Sequence, residues 1–192
     1  MWRALRRCDR CSMTTTTQHT INRALALILA GAVWDLIMTT VFFSVLDISD
    51  GLWFLLDAPG MALIAIGFSL YSRRTLPVAA AFGIFVAIHV IVSTDPEGLG
   101  FLLGPGDLFI ALCGIASTIW IAKTEGWGAK PAGVLAFTVS ILIIGPLLAI
   151  YGDAGLAWGL PLYSVFMLAA WLVLRRGLAK SGDVVYEPTS IA

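Results

Sequence analysis

Residues 52–93 read LWFLLDAPGMALIAIGFSLYSRRTLPVAAAFGIFVAIHVIVS, two apolar runs joined by Ser72-Arg73-Arg74-Thr75. Each run is about 20 residues, enough for a helix to cross a hydrocarbon core of ~30 Å. The pair therefore reads as a membrane hairpin whose turn carries two arginines.

Working outward from that turn, the pattern repeats. The twelve Lys and Arg residues are Arg3, Arg6, Arg7, Arg10 and Arg23, then Arg73 and Arg74, Lys123 and Lys130, and Arg175, Arg176 and Lys180. Between successive groups the chain makes one apolar passage out and one back. Acidic residues mark the far turns: Asp47 and Asp50, Asp95 and Glu97, and Asp153. Cytoplasmic loops keep Lys and Arg while outward loops lack them. The segregation predicts an all-α polytopic membrane bundle of six transmembrane helices, N-in and C-in. The spans are expected near 23–46, 52–72, 76–93, 101–122, 131–150 and 155–174.

Composition agrees. A hydrophobic fraction of 59% and a charged fraction of 12% depart from the roughly 45–50% and 25% of soluble domains. A formal net charge of zero gives no nucleic acid a reason to bind. Residues 1–22 form a basic cytoplasmic tail, 23–174 the six-helix transmembrane domain, and 175–192 a disordered cytoplasmic tail. Residues 1–22 lack the apolar core of a secretory signal, so the first span acts as its own insertion signal. Met13 follows an Arg-rich stretch and is a candidate start. The threonine run from Thr14 to Thr17 is expected to be disordered. Localisation in the cell membrane follows from the same reading.

Pro59, Pro77, Pro105, Pro131 and Pro161 fall at or near the starts of spans, where a missing N–H costs least. Pro146, after Gly145, sits inside the fifth span and predicts a kink there. Cys8 and Cys11 form a lone Cys-x-x-Cys, two of the four ligands zinc wants, so no metal is expected. Cys113 reads as a small apolar packer.

Ionisable groups within spans cost roughly 2.5–3.5 kcal/mol each on insertion scales and usually face the interior. Here they are Asp35, Asp57, His89 and Asp107. Asp35 lies mid-span, with the other three nearer the acidic turns. Asp107, Ala111, Gly114 and Thr118 share one helical face, a small polar stripe suited to lining a cavity. Asp35 shares its face with Gly31 and Thr39, and His89 with Phe82 and Phe85. Asp35, Asp57, Asp107, Trp34, Thr39 and Thr118 are the candidate ligand-binding residues. Capping is the competing reading for Asp57 and Asp107, since a carboxylate suits the positive end of a helix. An interfacial histidine is the competing reading for His89, and belt anchors for Trp53 and Trp158. Ala79, Gly83 and Ala87, spaced by four, form either a packing seam or a face for a homodimer or partner helix.

Paired-histidine, phosphate-loop and nucleophile-elbow signatures are absent, and the sequence points to no cofactor. Three functions suit the pattern. One is binding or transport of a small solute through an outward-opening pocket, with a carboxylate exchanging a proton. A second is an integral-membrane isomerase or cyclase of an isoprenoid-like, lipid-soluble substrate, with Asp35 or Asp107 as general acid and His89 as partner. The third is a non-catalytic subunit of a membrane complex. Besides that solute or substrate, the expected contacts are membrane lipids.

Overall fold

The computed structural model describes residues 2–43, 49–151 and 153–182, and among them the chain is all-helical. Helix α1 is Trp2–Ile37, running on as a π-helical turn over Met38–Phe43. Helix α2 is Asp50–Tyr71, α3 Leu76–Val92, α4 the short Pro96–Leu99 and α5 Leu103–Glu125. Helix α6 is Ala129–Val139, which passes through a 3₁₀ turn (Ser140–Ile143) into α7, Ile144–Tyr151; α8 is Asp153–Gly182.

Five stretches are long and apolar enough to cross a membrane: Gln18–Thr40, Gly51–Tyr71, Arg73–Val92, Pro96–Glu125 and Gly159–Gly177. This is the pattern of a multi-pass membrane protein. Ala129–Ile143 is a shorter apolar helix. The expected break at Pro146 takes the form of the 3₁₀ turn before α7, where the proline is the third residue. The tails differ from expectation. Thr14 to Thr17 lie inside α1, and α8 continues to Gly182. Once a span has nucleated a helix, each further residue adds a hydrogen bond without a new nucleation cost. Cys8, Cys11 and Trp158 lie outside the residues whose side chains are described.

The helices pack as a closed ring: α1 on α2, α2 on α3, α3 on α5, α5 on α6, α6 and α7 on α8, and α8 back on α1. The α1–α2 contact is made by small residues. A Cβ on Gly31 would stand 2.5 Å from the Gly60 carbonyl oxygen, and one on Gly67 2.9 Å from that of Ala24. Close backbone approach of this kind is how apolar helices gain dispersion where lipid offers no hydrophobic contrast.

At one end of the ring the basic turns converge. Arg74 and Lys130 both pair with Glu125, the Lys130 Nζ lying 2.9 Å from Oε2, and Lys130 also sits 5.5 Å from the Tyr71 ring centre. Inside that basic half, Phe68 stacks on Phe82 at 6.1 Å, and Phe137 meets both edge-on at 5.3 and 6.3 Å. All three rings are buried. They form an aromatic plug between the basic end and the polar residues above it.

Candidate functional site

Four helices bring the ionisable intramembrane residues together, and a fifth completes the set. Asp35 of α1 is 1% exposed, Asp57 of α2 1% and His89 of α3 2%. Asp107 of α5 is half-buried, and α8 contributes the buried Tyr163 and Ser164.

Asp35 is the best-satisfied member. The Tyr163 hydroxyl donates to its Oδ1 and the Ser164 hydroxyl to its Oδ2. Two donors on one buried carboxyl offset much of the cost of removing it from water. The α1 backbone is shaped around it. Thr39 donates back to the carbonyls of Asp35 (2.9 Å) and Leu36 (3.2 Å), and its Oγ1 lies 3.4 Å from Ser164 Oγ. The π-helical turn starts at Met38, one turn beyond Asp35. Such turns widen the helix and re-aim the groups beside them.

Asp57 is placed differently. Its two oxygens are sealed from solvent with no partner in hydrogen-bonding geometry. Its Oδ2 lies 3.4 Å from His89 Nε2, and its charge acts directly on Asp35. His89 Nδ1 faces the Phe85 carbonyl at 3.1 Å. A carbonyl only accepts, so Nδ1 carries the hydrogen and Nε2 is turned toward Asp57. Asp107 acts electrostatically on His89 and on Tyr163, and Tyr163 feels Asp35, Asp57 and Asp107 together. Asp35, Asp57 and His89 are thus buried acid–base groups on three neighbouring helices, with Asp107 half-buried on a fourth.

Around His89 the wall is aromatic. Phe85 lies edge-on at 4.4 Å, Phe54 at 5.5 Å and Trp53 at 6.3 Å. Apolar walls keep water away from the pair and strengthen its electrostatics.

Several expectations change. Neither Asp57 nor Asp107 caps a helix: Asp57 is well inside α2, which continues through Pro59, and the first turn of α5 holds no acidic residue. His89 is enclosed rather than interfacial. Trp53 is a buried neighbour of His89 rather than a belt anchor. Trp34 is spent on structure, its Nε1 donating 2.8 Å to the Leu56 carbonyl beside the Pro59 break while its ring covers Gly60. Thr118 is not at the site. It lies about 16 Å along α5 from Asp107, its hydroxyl 3.4 Å from the Pro131 carbonyl. Gly114 packs directly on Thr138, so that stripe is the seam between α5 and α6. Ala79 is buried, but Gly83 and Ala87 are exposed, and a Cβ on Gly83 would meet nothing within 4 Å.

Tyr163 and Ser164 were not anticipated. The available signal was two adjacent hydroxyls in an otherwise apolar run. Among the described residues, no group of three or more His, Cys, Asp or Glu side chains is arranged to hold a metal ion. No protein-family model matches the chain, and neither does any curated protein or solved structure.

Proposed function

We propose that the protein binds a small solute and moves it across the cell membrane in exchange for protons held by the buried acid series. The observation that carries this reading is the burial of Asp35, Asp57 and His89 on three neighbouring helices, with Asp57 Oδ2 3.4 Å from His89 Nε2 and the half-buried Asp107 on a fourth helix. Three carboxyls and one imidazole, with no Lys or Arg among them, cannot all hold charge in a low-dielectric interior without protons or a ligand to balance them. Binding and proton release are thereby coupled. The aromatic plug of Phe68, Phe82 and Phe137 lies on the path toward the basic end, so in this reading solute enters from the side of the acidic turns.

In this reading the chain crosses six times with both ends cytoplasmic. The crossing added to the five long apolar helices is the fifth in chain order, the run from Ala129 to Tyr151, which is continuous through its 3₁₀ turn and about 34 Å long at 1.5 Å per residue. Its interruption at Pro146 gives a bending point next to α8, of the sort alternating-access carriers use.

The test uses vesicles containing the purified protein and a pH-sensitive dye, challenged with fractionated small-molecule extract. An active fraction should change internal pH with the wild type. The response should vanish in Asp35→Asn and Asp57→Asn, both still folded by size-exclusion. Equal responses in wild type and Asp35→Asn would overturn the reading.

A second reading is favoured by the rings of Trp53, Phe54 and Phe85 around His89. Aromatic faces stabilise developing positive charge, which suits an acid-catalysed isomerase of a lipid-soluble substrate. Product formed in detergent, where no gradient exists, is the result that separates it from transport.

A further inference from the structure

Between α6 and α8, on the flank of the bundle, lies a laterally open groove of ≈ 510 Å³. One wall carries Trp127, Ala132 and Ala136, the other Phe166, Ala169 and Val173. The alanines make the groove, since larger side chains there would fill it. Ser140 adds the wall's one hydroxyl, and that donates to the Phe137 carbonyl at 2.7 Å. The surface thus asks for an apolar occupant entering from the side. Along α6 the groove runs from Ala132 to Ile143, about 17 Å, which is close to half of the ~30 Å hydrocarbon core. That is the depth of one lipid leaflet.

The mouth of the groove is charged. Phe166, Ala169 and Val173 follow one face of α8, and the next residue on that face is Arg176. Arg176 is exposed and in no ion pair among the described residues. Arg175 points elsewhere, its guanidinium 5.6 Å over the ring of Trp171, which bonds to Leu25 of α1. Trp127, 74% exposed, stands at the same end, where an indole suits the headgroup level. We propose that the groove seats one acyl chain of an anionic phospholipid, whose phosphate is held by Arg176. This site lies outside the buried acid series and does not depend on it.

The experiment is native mass spectrometry of the full-length protein purified with equimolar phosphatidylglycerol and phosphatidylcholine. The wild type should retain phosphatidylglycerol about fivefold over phosphatidylcholine, the preference expected from one well-placed basic residue. Arg176→Gln should bring the ratio close to one. Ala136→Phe, on an exposed position, should empty the groove and lose both lipids. The arginine variant alters only an exposed side chain, so it reads the preference even if the groove variant fails to fold. Equal retention of both lipids by the wild type would overturn the proposal, as would unchanged retention in a folded Ala136→Phe. A dimeric mass abolished by Ala136→Phe would also overturn it, assigning the groove to a second copy of the chain.

Discussion

Replacing Gly31 with Ala tests the helix contact on which the acid series rests. The new Cβ would lie 2.5 Å from the Gly60 carbonyl oxygen, 2.6 Å from Ile64 Cγ1 and 3.1 Å from the Ile64 nitrogen. Two of those neighbours are backbone, which cannot rotate away. Ordinary contact is about 3.5–4.0 Å, so α1 and α2 must part by about 1 Å, forfeiting a quarter to a half of the dispersion at each contact. Overpacking of this kind costs about 1–3 kcal/mol. Alanine's helix preference returns at most about 1 kcal/mol. Steric separation wins, and the net loss should be about 1–2 kcal/mol. Gly83→Ala is the internal control: nothing lies within 4 Å, so only the helix preference acts and stability should hold or rise by up to about 1 kcal/mol. The assay is equilibrium unfolding of both purified variants in mixed micelles. A Gly31→Ala protein as stable as Gly83→Ala would refute the close α1–α2 contact. Because Asp35 and Asp57 each lie about one turn from this crossing, the same variant should also weaken solute-evoked proton movement without touching a polar group.

Two further outcomes follow from single hydrogen bonds and ion pairs. Trp34→Phe removes a second donor to the Leu56 carbonyl and should cost about 0.5–1.5 kcal/mol of unfolding free energy, the net worth of an ordinary hydrogen bond. Glu125→Gln breaks the pairs with Arg74 and Lys130, but the carboxylate is 35% exposed, so the loss should stay below about 1 kcal/mol and shrink in high salt; unfolding at two ionic strengths reads both.

Some of this was legible in the residues and some was not. Grouped Lys and Arg between apolar runs mark span edges because translocating them is costly, and α2, α3 and α5 begin and end within three residues of the expected edges while α1 and α8 run on past theirs. Asp35, Asp57, His89 and Asp107 stood out for the same reason: a charge in an apolar run demands an explanation. Tyr163 and Ser164 did not, since hydroxyls are ordinary in membrane helices and only contact with Asp35 distinguishes them. Trp34 and Thr118 show the converse limit. Residue type tells what a side chain can donate, while its partner depends on which backbone the fold brings near, here a carbonyl beside Pro59 and another at Pro131. The small-residue stripe on α5 was visible, but a stripe of Gly and Ala suits a cavity or a tight seam equally until its neighbour is known. Thr138 against Gly114 decides for the seam.

The proposed function needs Asp35 to be coupled to the buried Asp57 beside it, and infrared titration of the carboxyl stretching bands tests that without any substrate. Bands of the purified wild type are assigned by loss in Asp35→Asn and Asp57→Asn. Removing Asp57 should displace both the frequency and the titration midpoint of the Asp35 band, and removing His89 should displace the frequency of the Asp57 band. An Asp35 band that titrates identically with and without Asp57 would contradict it.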